Sequence, residues 1–157
     1  MGSSSQGLFK LLKTRCRLVK LSGKLLRRRL VSSIQRGDLV AVYGSLRQGL
    51  HNHRVIAGAE FVGETTLYGF SMFSLGSFPY AFPTKTDADS IKAEVYIVDS
   101  EERAARLDML EGYPSFYNRK QVDTEYGKAW VYFIDDYDND AHERVHHGDW
   151  RRFLATR

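Results

Sequence analysis

The chain has 157 residues, of which 43% are hydrophobic and 27% charged, a size and composition typical of one globular domain. A single cysteine excludes an intramolecular disulfide, and no apolar run reaches the roughly 18 residues that a membrane-spanning helix needs. The net charge of +4 conceals two parts of opposite charge, which need separate explanations.

Residues 1–36 form a basic segment with ten lysine or arginine residues and no acidic residue. Its apolar residues between Leu8 and Leu30 follow the i, i+3, i+4, i+7 spacing of one helix face, with a weak point at Gly23. The pattern predicts a basic amphipathic helical arm, residues 1–36, that precedes a separate domain, residues 37–157. That domain holds 13 basic and 19 acidic residues, a net charge of −6.

The arm permits several functions, which the sequence leaves open. Residues 8–34 have the character of a surface that binds an anionic membrane or a protein partner, so we expect a cytoplasmic protein that is membrane-peripheral if lipid is bound. An arginine-rich segment without acids is also typical of an organelle transit peptide. Nucleic acid is the least favoured partner, because Phe9 is the only aromatic residue before Tyr43.

Four segments of the second part have the composition of β-strands. Residues 39–43 are a continuous apolar run that ends at Gly44, and residues 61–70 and 80–84 give a second and a third strand. Residues 91–98 alternate apolar and polar side chains. This alternation predicts a strand that is buried on one face, whereas the continuous first run predicts a buried strand.

One helix is predicted over residues 100–110, opened by a capping box that begins at Asp99 and stopped by Gly112. Its core-facing residues are predicted to be Ala104, Leu107 and Leu110. Residues 117–122 and 128–134 then form a closing hairpin. Strands and helices do not alternate along the chain, so a mostly antiparallel α+β fold is favoured over a doubly wound parallel sheet.

The first candidate for binding chemistry is the run Tyr43-Gly44-Ser45-Leu46-Arg47-Gln48-Gly49. A strand that runs into Gly-Ser leaves successive backbone N–H groups free in a tight turn, where they can bind a carboxylate or an oxyanion. Taken alone, the run is better explained by an ordinary glycine turn.

The second candidate is the run from Leu107 to Pro114, which places Glu111 at the C-terminal end of the predicted helix. A solvated residue at a helix end is the ordinary explanation, although a negative charge gains nothing from the helix dipole there. In an apolar pocket the pKa of this carboxyl group would rise toward neutrality, which suits a general base that then acts as a general acid.

In this order, the two runs resemble those of the γ-glutamyl cyclotransferase superfamily, whose members share a Tyr-Gly-Ser/Thr-Leu loop and a Leu-Asp-x-x-Glu-Gly stretch. The run Glu111-Gly112-Tyr113-Pro114, with Tyr117 and Arg119, is most similar to the γ-glutamylamine cyclotransferase branch. Further matches to that branch are Asn52-His53-Arg54, residues 94–99 and Gly148-Asp149-Trp150. The resemblance covers residues 38–150.

The resemblance implies a small, mostly antiparallel β-barrel with flanking helices and a substrate pocket at one mouth. It implies an acyl transfer within the substrate, in which the α-amine of a γ-glutamyl amine attacks its own γ-carbonyl to give 5-oxoproline and a free amine. No metal or cofactor is implied. Glu111 would be the catalytic acid and base, Tyr43 would shape the pocket, and Tyr117 would lie close to Glu111. The glutamyl carboxylate and the oxyanion would be held by the backbone of Gly44, Ser45 and Leu46.

The sequence also bears on the leaving group. The aromatic residues that crowd the segment after Glu111 favour an alkylamine, such as the lysine side chain, over the charged tail of glutathione. Against this, Arg47, Arg54 and Arg119 are each able to bind a leaving-group carboxylate if they reach the pocket.

Two other functions stay open: a non-catalytic ligand-binding module on the same fold, and a protein whose function resides in the basic arm. The run His142-Glu143-Arg144-Val145-His146 matches the His-Glu-x-x-His pattern of zinc peptidases, which requires both histidines on one helix face. An acidic loop before it and Gly148 just after it do not favour such a helix. We therefore treat the match as chance and expect no metal site.

Overall fold

In the computed structural model, which describes residues 33–157, strands and two α-helices build the predicted α+β fold. The strands are β1 (Leu39–Val42), β2 (Glu60–Tyr68), β3 (Phe70–Ser74), β4 (Pro79–Pro83), β5 (Ser90–Ile97), β6 (Asn118–Thr124), β7 (Gly127–Phe133) and β8 (Glu143–Arg144). The helices are α1 (Glu101–Glu111) and α2 (Trp150–Ala155), and short 3₁₀ helices lie at His53–Val55 and Asn139–Ala141. The predicted closing hairpin is present as β6 and β7.

The larger sheet has the strand order β2-β5-β1-β7-β6 and is antiparallel except between β1 and β7. Strand β1 is buried because both faces of this central strand are covered: Val40 and Val42 belong to one core cluster and Ala41 to the other. Val42, at the end of β1, lies opposite Glu94 of β5. The loop that follows β1 therefore begins at the centre of the sheet.

The smaller sheet pairs β3 with both β4 and β8, and it corrects the predicted strand over residues 61–70. That segment belongs to two strands, because Gly69, with φ +80°, turns the chain between Tyr68 and Phe70. Strand-forming residues on both sides of the glycine hid the break. The two-residue strand β8 was not predicted, since so short a segment carries no periodic pattern.

The strand ladders within residues 33–157 do not close into the predicted β-barrel, because β2 and β6 remain the edges of the larger sheet. The side chain of Tyr126 connects these edges, and its hydroxyl donates to the carbonyl of Glu64 at 3.0 Å. Gly63 permits this approach, since a Cβ at that position would lie 2.2 Å from the Tyr126 hydroxyl oxygen. The Tyr126 hydroxyl thus links the two ends of the larger sheet, whereas backbone hydrogen bonds between β2 and β6 would be needed to close a barrel.

Helix α1 begins one residue later than the predicted capping box requires. The N-cap is Ser100, whose Oγ accepts from the Arg103 N–H at 3.1 Å, so the prediction that Asp99 caps the helix is wrong. Asp99 forms an ion pair with Arg103 instead, with 2.7 Å between Oδ1 and Nε. Of the three predicted core residues, Ala104 and Leu107 are buried, whereas Leu110 is 40% exposed.

The segment from His142 to His146 is extended and contains β8, so its two histidines do not have the spacing of a helical zinc site. In the part of the chain that the structure describes, neither α-helix has the length and apolar character needed to cross a bilayer.

The predicted arm lies almost wholly outside the described residues, and the boundary after residue 36 stays a prediction. Ile34, which we assigned to the arm, is 3% exposed and belongs to a core cluster of the compact unit formed by residues 34–157. The chain after it is held by two hydrogen bonds: Gln35 N–H donates to Asp38 Oδ2, and Gly37 N–H donates to Val98 O, both at 2.8 Å. The domain core therefore includes residues before Gly37.

Deletion of residues 1–36 is expected to lower the melting temperature more than deletion of residues 1–33, because only the longer deletion removes Ile34. Loss of a buried isoleucine side chain costs roughly 2–5 kcal/mol. Thermal melts of the two deletion variants measure this difference, and Ile34→Ala in the full chain is a third variant for comparison. Equal melting temperatures in the two deletions would show that Ile34 adds nothing to the core.

Candidate active site

A cavity of about 140 Å³ lies where the loop after β1, the start of β4 and the C-terminal end of α1 meet. All six residues proposed from the sequence line it, namely Tyr43, Gly44, Ser45, Leu46, Glu111 and Tyr117. Eight further residues complete its wall: Ala41, Val42, Asn52, Phe78, Pro79, Leu110, Phe116 and Tyr132. Two motifs that are far apart in the sequence thus meet in one cavity, while their chemical roles stay predictions.

The absence of a side chain at Gly44 lets the loop after β1 approach β4. A Cβ built at this residue would lie 2.8 Å from both Cγ and Cδ of Pro79, closer than carbon atoms pack in proteins. The carbonyl of Gly44 accepts from the Arg47 N–H at 3.0 Å, which closes a tight turn. A larger residue would have to push the loop and β4 apart.

Three successive backbone N–H groups of this loop, those of Gly44, Ser45 and Leu46, have no acceptor within residues 33–157. The other polar atoms of Ser45 are paired, since its carbonyl accepts from Asn52 N–H at 3.0 Å and its Oγ accepts from Asn52 Nδ2 at 2.9 Å. Gly44, Ser45 and Leu46 all line the cavity, so their N–H groups are available there to water or to a ligand that accepts hydrogen bonds. Such a run of donors suits a carboxylate or an oxyanion.

Glu111 is the last residue of α1, and the following turn brings Tyr117 to its side. Gly112 ends the helix in the left-handed conformation, at φ +62°, and Tyr113 N–H donates to Asp108 O at 2.9 Å. Tyr117 N–H then donates to the carbonyl of Glu111 at 3.2 Å. This folded-back loop explains why both residues line one cavity.

The arrangement agrees with a comparison to known protein families. Residues 40–152 match the family model described as gamma-glutamyl cyclotransferase, AIG2-like. The chain belongs to this family. The superfamily that the sequence motifs predicted is therefore confirmed, while the assignment to the γ-glutamylamine branch stays a prediction.

Relatives of this cyclotransferase family span most of the described chain. The gamma-glutamylcyclotransferase family protein YtfP of Escherichia coli K12 is 32% identical over 111 residues, which are 71% of this chain and 94% of that protein. A solved structure of an uncharacterized Pyrococcus horikoshii protein has a TM-score of 0.65 and 30% identity, covering 76% of this chain and 94% of that one. A mouse AIG2-like protein has a TM-score of 0.56 and 27% identity, covering 68% and 82%.

The carboxyl group of Glu111 lies in an environment that disfavours its negative charge. Burial raises its pKa to about 8. Within residues 33–157 no hydrogen bond or ion pair lowers this pKa, and the C-terminal end of α1 also disfavours a negative charge. The group is therefore able to gain and lose a proton near neutral pH.

Three tyrosines of the cavity wall surround Glu111, yet each of their hydroxyl protons has another acceptor. Tyr43 donates to Tyr132 O at 2.8 Å, Tyr117 donates to Pro79 O at 2.8 Å, and Tyr132 donates to Asp108 Oδ1 at 2.6 Å. Burial, reinforced by the nearby Glu111 charge, raises the pKa of all three phenols well above its usual range. The tyrosines are thus neutral and fixed, and they leave the carboxylate unpaired.

The three arginines that the sequence left open do not line the cavity. Arg47 is buried in ion pairs with Glu94 and Asp149, at 3.3 and 2.8 Å. Arg119 pairs with Asp108 at 3.0 Å, and its guanidinium lies 3.9 Å from the centroid of the Tyr113 ring. In the described part of the chain, the cavity wall contains no cationic side chain.

Sequence reasoning missed Tyr132, Phe78 and Pro79 as cavity residues. Tyr132 lies in β7, which pairs with β1 through its earlier residues, so only the sheet order brings it to the site. Phe78 and Pro79 precede and begin β4, and the close approach of Pro79 to Gly44 depends on the packing of the two sheets. No local pattern marks any of the three, although the Asn52-His53-Arg54 match did point to Asn52.

Replacement of Glu111 by glutamine is expected to stabilise the protein increasingly as the pH rises from 5 to 8. The folded chain keeps the Glu111 proton up to a pKa of about 8, whereas the unfolded chain releases it near 4.5, so rising pH favours unfolding of the wild type. One pKa unit corresponds to about 1.4 kcal/mol, so the difference is on the order of several kcal/mol. Chemical denaturation of both proteins across this pH range measures it.

The matched control is Glu102→Gln, which removes an exposed carboxylate from the first turn of the same helix. A difference between wild type and Glu111→Gln that stays constant from pH 5 to 8 would mean that the Glu111 carboxyl group ionises normally in the folded protein.

Proposed function

We propose that this chain is a cyclotransferase that converts γ-glutamyl amines and related γ-glutamyl amides into 5-oxoproline and a free amine. The observation that carries the proposal is the meeting, in one cavity, of the unpaired carboxyl group of the half-buried Glu111 and a run of unpaired backbone N–H groups. Family membership and the names of relatives, such as the Escherichia coli protein, support the same reaction.

Glu111 acts first as the base and then as the acid. Its carboxylate takes one proton from the substrate's α-ammonium, and the amine nitrogen then attacks the γ-carbonyl carbon of the same molecule. Glu111 gives this proton to the leaving nitrogen as the old amide C–N bond breaks. It then takes the second proton from the new ring nitrogen and releases it to solvent. A pKa near neutrality suits both directions of transfer.

The loop after β1 supplies the electrostatic half of the reaction. The backbone N–H groups of Gly44, Ser45 and Leu46 hold the α-carboxylate of the glutamyl group and the oxyanion that forms on the γ-carbonyl oxygen. Because the attack is intramolecular, good orientation alone supplies an effective molarity of roughly 10⁵–10⁸ M. The protein therefore needs only to fold the substrate, stabilise one negative charge and move protons.

Glu111→Gln is expected to retain the fold and to lower kcat/KM by about 10²-fold or more, the contribution of a positioned acid and base. In the wild type, kcat/KM is expected to rise with pH along an acid limb whose midpoint is near the Glu111 pKa of about 8. Release of 5-oxoproline, followed across pH for both proteins, measures the two effects. Near-normal turnover by the glutamine variant would remove Glu111 from the mechanism.

The cavity mouth favours an alkylamine leaving group. Leu110 and Phe116 are each 40% exposed there, and the Phe116 ring lies 6.3 Å from that of Phe78 in an edge-to-face arrangement. Apolar and aromatic walls suit the alkyl stem of a lysine side chain. The Cys-Gly part of glutathione carries a carboxylate and no ammonium, so it finds no cationic partner in the described wall and the acidic charge of residues 37–157 repels it. A lysine linked through its ε-amine keeps its own α-ammonium beside its carboxylate and has no net charge.

The kcat/KM for γ-glutamyl-lysine, linked through the ε-amine, is therefore expected to exceed that for glutathione under identical conditions. Phe116→Ala is expected to reduce this preference, because it removes an aromatic wall without touching Glu111. A preference for glutathione of tenfold or more, about 1.4 kcal/mol of transition-state stabilisation, would contradict the amine assignment and leave the cyclotransferase assignment intact.

A further inference from the structure

A second buried carboxylate, Glu94, lies on β5 outside the cavity wall and is 2% exposed. Each of its two carboxylate oxygens accepts two hydrogen bonds. Oε2 accepts from the Gln48 backbone N–H and the Tyr96 hydroxyl, each at 2.9 Å. Oε1 accepts from Arg47 Nε at 3.3 Å and from an Arg151 Nη at 2.9 Å. Glu94 is therefore fully paired, in contrast to Glu111.

The partners of Glu94 come from three separate parts of the chain. Gln48 and Arg47 belong to the loop that follows β1, Tyr96 belongs to β5, and Arg151 lies in the first turn of α2. Asp149 strengthens this connection, because it caps α2 through the Arg151 N–H at 3.1 Å and also binds Arg47 at 2.8 Å. Arg151 additionally donates to the carbonyl of Gln48. The carboxylate thus ties the loop to the sheet and to the last helix.

Glu94 and its hydrogen-bond partners form a clamp on Arg47 and Gln48, the two residues that follow the unpaired N–H donors. Residues 44–46 have N–H groups without acceptors, so those groups contribute nothing to holding the loop in its conformation. The Arg47 N–H donates to Gly44 O, which closes the turn, while the Arg47 side chain and the Gln48 N–H are fixed by Glu94. Glu94 also lies opposite Val42, the last residue of β1. It therefore holds the loop through Arg47 and Gln48, which do not line the cavity.

We propose that Glu94 is a positioning residue: it holds the loop at residues 44–46 in the conformation that keeps three N–H groups available to a ligand. It does not line the cavity, so it acts through Gln48 and Arg47 and not by touching substrate. The catalytic consequence rests on the proposed cyclotransferase function, whereas the effect on the loop does not.

The effect on the loop is measured by amide hydrogen exchange of the full chain, read by mass spectrometry for peptides that cover residues 44–52. Glu94→Gln is expected to speed exchange there by tenfold or more, because the amides of Arg47, Gln48, Leu50 and Asn52 depend on the clamped turn. Exchange in β7 is expected to stay unchanged. The matched control is Asp89→Asn, which disrupts an ion pair with Arg144 on the smaller sheet, away from the cavity.

Removal of one charge from a buried ion pair is strongly destabilising, so a gentler variant accompanies the first. Arg151→Met removes one of the four donors to Glu94 from a side chain that is 42% exposed, and it retains an apolar stem. It is expected to speed exchange in the same peptides by a smaller factor. If Glu94→Gln does not fold, the Arg151→Met result decides. Unchanged loop exchange in every variant that folds overturns the proposal.

The catalytic consequence is measured as 5-oxoproline release. Glu94→Gln is expected to lower kcat/KM by tenfold or more while the acid limb keeps the wild-type midpoint, because Glu111 is untouched; Asp89→Asn is expected to stay within twofold of the wild type. Faster loop exchange with unchanged kcat/KM, or an equal loss in Asp89→Asn, overturns the positioning role. Absence of turnover in the wild type would contradict the proposed function, and the exchange result would then decide the effect of Glu94 on the loop.

Discussion

A desolvated carboxyl group without a counter-ion, that of the half-buried Glu111, is the constraint on which the rest of this site depends. Glu111 would be ionised at neutral pH if Arg119, Arg47 or a tyrosine hydroxyl reached it, and each of these groups is held by another acceptor. Arg119 is bound by Asp108, one helical turn before Glu111. Neither arginine lines the cavity, so the described wall offers Glu111 no counter-ion and burial alone raises its pKa.

The two glutamates, Glu94 and Glu111, show how the same side chain is given opposite properties. Burial acts to raise the pKa of Glu94, but the Gln48 N–H, the Tyr96 hydroxyl and Arg47 outweigh it and lower the pKa below its usual value. Glu111 is half-buried and desolvated without such donors, and its pKa rises to about 8. A permanently charged group suits a structural clamp, and a group that exchanges protons suits catalysis.

Six residues of the cavity wall were predicted from sequence because two short runs, in order, resemble those of one superfamily, whereas each run judged alone favoured an ordinary turn or helix end. A strand that ends in Gly-Ser, and a helix that ends at Gly112, position Gly44 and Glu111 without reference to the rest of the chain. Two local predictions were wrong, because Gly69 turns the chain within the predicted second strand and Ser100 caps the helix in place of Asp99. The open edges at β2 and β6 and the position of Tyr132 in the cavity wall depend on tertiary packing and were not predicted. Side-chain charges such as Arg47 were visible in the sequence, but their partners were not.

The unpaired groups of the cavity complement one particular arrangement of charges. A γ-glutamyl group carries an α-carboxylate and an α-ammonium on one carbon atom, and its scissile amide lies at the other end of the side chain. In the proposed reaction, the N–H groups of residues 44–46 donate to the carboxylate, and Glu111 accepts from the ammonium. An ammonium held beside Glu111 lowers the pKa of that carboxyl group, so substrate binding itself converts a protonated acid into the base that the first step needs. Because a polar group that is desolvated without a partner weakens binding, the pocket favours the ligand that pairs all of these groups over one that leaves some of them unpaired.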